Sequence, residues 1–138
     1  MCRTTCLSLF LFVLPMLLAG CGSPQKRISG TDLPTIPRVT MTSSEIKSST
    51  EGVATDGKFV FTGQVYDALE RLRWISRPYV EAGWTPEKST GSPSEATQVF
   101  SKPLPELKLK RSVKITAIAS QTAGSVLVHL YSEPLPSK

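Results

Sequence analysis

Residues 107–120 carry the clearest hydrophobic pattern in the chain, because apolar and polar side chains alternate there almost strictly. One alternate set reads Leu107, Leu109, Arg111, Val113, Ile115, Ala117 and Ala119. The other set begins with Lys108, Lys110, Ser112, Lys114 and Thr116. Such alternation is typical of an antiparallel strand with one dry face and one wet face. We therefore expect a half-buried strand whose apolar face is interrupted by Arg111.

Four shorter segments predict further strands. Residues 125–132 return from a hairpin connection at 121–124, with Val126, Val128 and Leu130 on one face. The other candidates are residues 58–62, residues 95–101 and, with the weakest pattern, residues 84–88. Together these segments predict a small antiparallel sheet of about four strands.

Between the candidate strands at residues 58–62 and 84–88, the spacing of apolar residues changes from two residues to between three and four. The residues on this stripe are Val65, Leu69, Leu72, Ile75 and Tyr79. Their spacing predicts an amphipathic helix over 64–82, with Thr62 as N-cap and Gly83 just past the C-terminus. Pro78 predicts a kink, or a stop near Arg77. The expected fold class is α+β, with this helix packed on the sheet in two layers.

Residues 21–57 have a different composition, dominated by Ser, Thr, Pro and Gly, with isolated apolar residues that show no sustained period. Such a segment buries too little surface to offset its ordering entropy. We predict a flexible tether over 21–57, a folded domain over 58–132 and a tail over 133–138. An alternative is that residues 40–46 dock on the domain as a short strand or helix.

The N-terminus contains an uncharged apolar run of twelve residues, 7–18, interrupted by Pro15. A membrane-spanning helix needs about 20 apolar residues, so this run has the length of a signal-peptide core instead. The run ends in Leu18-Ala19-Gly20-Cys21. This tetrapeptide matches all four positions of the lipobox, and the N-terminus therefore resembles that of bacterial lipoprotein precursors.

The resemblance implies that residues 1–20 are a signal peptide and that Cys21 receives a diacylglycerol on its sulfur. The mature protein would be exported and anchored to the cell envelope through this lipid. Gly22 stands where an Asp is associated with inner-membrane retention in enteric bacteria, so the outer membrane is expected in a Gram-negative source. Ordinary secretion with cleavage after Gly22, or a buried N-terminal helix, is the alternative.

Removing residues 1–20 leaves 15 basic and 11 acidic residues, a mild excess that gives no reason to expect a nucleic-acid partner. Cys2 and Cys6 are lost with the signal peptide and Cys21 carries lipid, so the mature domain has no disulfide. A domain this small draws little stability from a single core. We therefore expect a protein partner in the envelope, or self-association, in addition to the membrane.

The sequence offers little for catalysis. Its one histidine, His129, falls in a predicted strand, and no free cysteine remains in the mature chain to form a Cys/His metal site. The carboxylates are scattered along the chain. We therefore predict that the protein is not an enzyme and has no cofactor besides the covalent lipid on Cys21.

Two groups of residues are candidates for an interaction surface. One group lies on and beside the clearest strand and comprises Lys108, Lys110, Arg111 and Lys114. The other surrounds the helix and comprises Arg71, Trp74, Arg77 and Trp84, two residue types that are enriched at interface hot spots. The alternatives are a solvated lysine face, and tryptophans that pack the helix end against the sheet.

These observations favour a lipid-anchored interaction domain presented to the periplasm or cell surface, as an accessory or scaffold component of an envelope complex. The alternative is a binding module that holds a small ligand or an anionic wall polymer on its basic strand face. An enzyme is disfavoured because no catalytic set is evident.

Overall fold

The structure, a computed structural model, describes residues 26–48 and 52–136. The lipobox and its Cys21 lie outside the described residues. The described elements are β1 (Val39–Ser48), β2 (Ala54–Gly63), α1 (Ala68–Glu81), β3 (Thr85–Gly91), β4 (Glu95–Leu104), a 3₁₀ turn (Pro105–Leu107), β5 (Leu109–Ile118) and β6 (Gly124–Pro134).

All six strands belong to one antiparallel sheet, in the order β1-β2-β6-β5-β4-β3. The prediction of about four strands was therefore wrong, although the broad class is α+β. The difference lies in the two edge strands, since β1 falls in the segment predicted to be a tether and β3 overlaps the weakest candidate, residues 84–88. Both β1 and β3 consist almost entirely of exposed residues, so neither has the alternation of burial that identifies a strand in a sequence.

Residues 26–38, which we call the strap, precede β1 and are packed into the fold. Ile28, Leu33 and Ile36 are each less than 5% exposed and belong to the main core. Backbone pairing between Arg27 and Pro34 closes the strap on itself. Within the described ranges, residues 26–48 of the segment predicted to be a flexible tether are thus part of the fold, with β1 following the strap as an edge strand.

The core lies between one face of the sheet and a second layer made of α1 and the strap. The helix contributes Ala68, Leu72, Ile75 and Tyr79 and packs against β3, β4 and β5. The central strands contribute their alternate residues, among them Phe59, Phe100, Val113, Ile115, Val128 and Leu130. One sheet face is therefore covered and the other is open.

The helix begins later than its apolar pattern predicts. Asp67, not Thr62, is the N-cap, and its carboxylate accepts a hydrogen bond of 2.9 Å from the Glu70 backbone N–H. Val65 is fully buried, but its carbonyl accepts a hydrogen bond from Ser120 outside the helix. Pro78 lies within the last helical turn without ending it.

No helix in the described ranges is long and apolar enough to cross a membrane.

The predicted role of Gly83 is confirmed. Its backbone N–H donates to Val80, and that of Trp84 donates to Tyr79, which together form a Schellman motif. The motif requires a left-handed residue, and Gly83 has a φ of +85°.

Replacing Gly83 with alanine should lower the free energy of unfolding by about 1 kcal/mol, because an L-residue is strained in the left-handed region. The added Cβ would meet only the end of Lys102, at 3.8 Å, so crowding contributes nothing. Urea denaturation of the two proteins measures the difference. An unchanged midpoint would contradict the assignment of Gly83 to this motif.

Candidate functional site

The open face of the sheet carries a cationic row at its centre, formed by Lys58, His129 and Lys114. The register pairs Lys58 of β2 with His129 of β6, and pairs His129 with Lys114 of β5. Directly paired residues point to the same face, so the three side chains are neighbours. No ion pair within the described ranges neutralises either lysine.

An apolar row lies beside the cationic row, one step further along the strands. It consists of Val60, Leu127 and the methyl-bearing Thr116, which are paired across β2, β6 and β5. Leu127 is 40% exposed, which is high for a residue in a central strand. The two rows line a hollow of about 320 Å³. The open face therefore combines positive charge with apolar surface at one place.

Carboxylates lie around this centre rather than in it. Glu45 on β1 lies opposite Lys58 in the strand register, and Glu133 on β6 lies opposite Lys110, but neither of these described pairs forms an ion pair there. Glu87 forms an ion pair with Lys110 at 2.5 Å. The hydrogen bond between these two side chains lowers the pKa of Glu87 and raises the pKa of Lys110. Lys110 is thus already neutralised, whereas Lys114 is available to a ligand.

The predicted lysine surface is accordingly divided. Lys108 is not on the strand, because it follows the 3₁₀ turn in a left-handed conformation with a φ of 53°. Lys110 and Lys114 do share the open face. Sequence reasoning missed Lys58 as a member of this site and left His129 without a role, because only the strand order brings β2 and β6 beside Lys114.

Arg111 does not belong to any surface, and this part of the prediction needs correction. The residue is 2% exposed and lies on the covered face, where its guanidinium donates two hydrogen bonds of 2.8 Å to the carboxylate of Asp32 in the strap. It also lies over the ring of Trp84, 5.2 Å from the centroid. Arg111 therefore joins the strap to the sheet.

A second, partly exposed cation completes this cluster. Lys102 Nζ lies 3.5 Å from Asp32 and donates a hydrogen bond to the carbonyl of Ala82. Burial raises the pKa of Asp32, but the hydrogen bonds and charge of Arg111, together with Lys102, outweigh it and hold this pKa below its ordinary value. Burial and the nearby negative charge of Asp32 both raise the pKa of the Tyr79 hydroxyl, which therefore stays neutral.

The four residues predicted around the helix also separate. Trp84 is 1% exposed and packs in the core beside Tyr79, with ring centroids 6.3 Å apart. Arg77 pairs with Glu81 on the helix surface at 2.8 Å. Arg71 and Trp74 line one hollow on the helix surface.

Arg71 and Trp74 belong to an arginine–aromatic corner that also includes Arg38 and Tyr66. The Arg38 guanidinium lies 5.0 Å from the centroid of the Trp74 ring, in cation–π geometry. Arg71 donates hydrogen bonds to the carbonyls of Pro37, at 3.1 Å, and Gln64. Partial burial, followed by the charge of Arg38, lowers the pKa of Arg71. Trp74 is 49% exposed and Tyr66 is 68% exposed.

The corner surrounds a hollow of about 130 Å³, which Asp67 and Glu70 also line. Among the described residues, no three His, Cys, Asp or Glu side chains come together in a group that could hold a metal ion.

Comparison with protein-family models, curated proteins and solved structures finds no match for this chain.

Proposed function

We propose that this chain is a lipid-anchored, non-catalytic binding module of the bacterial envelope, and that its open sheet face binds an acidic segment of a partner protein. The observation that carries the proposal is the cationic row of Lys58, His129 and Lys114 beside the apolar row of Val60, Leu127 and Thr116. The resemblance of residues 18–21 to a lipobox supports the anchor.

The open face suits an extended acidic partner for electrostatic and geometric reasons. Lys58 and Lys114 lie two strands apart, which corresponds to about 10 Å. Two carboxylates a few residues apart on an extended segment can match that separation. Each exposed ion pair contributes only about 0.2–1 kcal/mol, so the charges mainly provide specificity and association rate. Burial of Leu127 and Val60 supplies the remaining affinity.

Site-specific crosslinking in the native host tests the proposal. A photoreactive residue placed at Leu127 should form a crosslink to an envelope protein that has an acidic segment. The same residue at Tyr66, which is exposed on the covered side of the fold, serves as the matched control. Crosslinks to wall polymer alone, or an equal yield at both positions, would contradict a protein-binding sheet face.

The two unpaired lysines of the row are expected to dominate partner binding. Replacing Lys58 and Lys114 together with glutamine should weaken partner capture by about tenfold and remove most of its salt dependence, because both charges act at the same place.

The matched control replaces Lys108 and Arg73 with glutamine, which removes the same charge from exposed residues away from the row. The partner that the crosslink identifies is then captured without crosslinking, and pull-down at two salt concentrations measures both effects. Equal losses in the two double variants would show that net charge, and not the row, controls binding.

A further inference from the structure

We infer that the arginine–aromatic corner lies against the bilayer and that it holds the anchored domain in one orientation on anionic lipid. This inference rests on the lipid anchor proposed above. Its first support is the short distance between the anchor and the fold. Only four residues lie between Cys21 and Lys26, where the described structure begins, and the five residue steps can span at most about 18 Å.

The strap leads from the anchor towards the corner. The carbonyl of Lys26 accepts two hydrogen bonds from Thr35, from its backbone N–H at 2.9 Å and from its hydroxyl at 3.1 Å. Three residues later, Arg38 contacts Trp74, and the intervening chain can extend by no more than about 11 Å. The chain that leads from the anchor therefore joins the fold on the covered side of the sheet, which is also the side on which the corner lies.

The chemistry of the corner fits a membrane interface. Tryptophan and tyrosine concentrate at the level of lipid headgroups, and basic side chains are attracted to anionic lipid. Trp74 and Tyr66 supply the aromatic rings, and Arg38 is exposed beside them. Asp67 and Glu70 offset the charges of Arg38 and Arg71 within the hollow. The exposed Lys26 and Arg27 at the start of the strap supply the net positive charge.

Docking in this way would orient the whole domain. The corner and the strap lie on the covered side of the sheet, whereas the cationic row lies on the open side. A bilayer bound at the corner therefore leaves the open face directed away from the membrane, where an envelope partner can reach it. The same lipid anchor with a freely tumbling domain would not select a face.

Fluorescence of the lipidated mature protein in vesicles provides the test. Trp74 is half exposed and Trp84 is buried, so subtracting the signal of a Trp74→Phe variant isolates Trp74. In vesicles that contain phosphatidylglycerol, Trp74 should be quenched by lipids brominated near the headgroup and protected from aqueous iodide. In phosphatidylcholine vesicles the covalent lipid on Cys21 should still anchor the protein, but Trp74 should remain accessible to iodide.

Charge variants of a Cys21→Ser chain, which lacks the lipid, isolate docking from anchoring. Arg38→Gln should reduce its partitioning onto phosphatidylglycerol vesicles by about fivefold, since one basic residue near an anionic surface contributes about 1 kcal/mol. Lys108→Gln is the matched control and should leave partitioning unchanged, since Lys108 is exposed just before β5, at the end of the sheet opposite the corner.

The possible failures are distinguishable. Failure of the lipidated protein to associate with any vesicle would overturn the proposed anchor. Anchoring with Trp74 still open to iodide in anionic vesicles would overturn only the docking. Protection from iodide without bromolipid quenching would also overturn it, because the corner would then be covered by protein.

Discussion

Replacing Asp32 with alanine should lower the free energy of unfolding by about 3 kcal/mol, because it leaves the charge of Arg111 buried without its carboxylate partner. Arg111 is 2% exposed and Lys102 remains nearby, so the variant leaves two cations close together without the carboxylate that neutralises them. Urea or thermal denaturation measures the loss. For a domain of this size, it is a large share of the total stability.

Removing Arg111 instead of Asp32 should cause a smaller loss of unfolding free energy. In an Arg111→Met variant, Asp32 keeps Lys102 as a partner and is about 30% exposed to water, so we expect a loss of about 1 kcal/mol. The double variant Asp32→Asn with Arg111→Met should lie within about 1 kcal/mol of the wild type, since uncharged groups of similar volume then fill the site. Equal effects of the two single changes would contradict the asymmetry that burial imposes on this pair.

The effect of Asp32 should also depend on pH. Its pKa is lower in the folded protein than in the unfolded chain, where an aspartate has a pKa of about 3.9. The stabilisation by its ionised form is therefore fully present above the unfolded pKa and is lost as the pH falls through the folded pKa. The difference in stability between the wild type and Asp32→Asn should be constant near neutral pH and disappear in strong acid.

Arg111 illustrates what alternation along a strand can and cannot predict. The pattern placed it correctly on the covered face between Leu109 and Val113. It could not reveal the partner, because Asp32 lies 79 residues away in a segment whose composition is typical of a linker. A charged residue that interrupts an otherwise apolar face was nevertheless a signal for a buried ion pair, since such a residue must be paired in the core.

The candidate site was predicted in part for a similar reason. Lys114 and the polar face of its strand follow from local sequence alone. The rest of the cationic row depends on which strands are neighbours, and β2 becomes the neighbour of β6 only after the helix and three further strands intervene. The open face is thus a property of strand order, which no local period encodes.

The strap shows the opposite limit, because its apolar residues were visible but had no period. Ile28, Leu33 and Ile36 are spaced five and three residues apart and fit neither a helix nor a strand. They are buried because the helix leaves part of the sheet uncovered, and a chain without regular structure can follow that surface. This arrangement also shortens the distance between the proposed lipid anchor and the fold, and a short link favours one orientation of the domain on the membrane.

Truncating Leu33 is expected to cost about 3 kcal/mol of unfolding free energy, the usual scale for a leucine-to-alanine change in a core. Its side chain is fully buried, so the change leaves a cavity between the strap and the sheet. Met41→Ala is the matched control, since Met41 belongs to the same predicted tether but is 42% exposed on the edge strand β1. That change should shift stability by no more than about 0.5 kcal/mol.

Chemical denaturation of the two variants decides between a strap and a tether. If residues 26–38 served only as a flexible link, Leu33→Ala would be as harmless as Met41→Ala and both transitions would overlay the wild type. A loss confined to Leu33→Ala places the beginning of the folded unit near Lys26. Only then is the link to Cys21 short enough to keep the arginine–aromatic corner at the membrane.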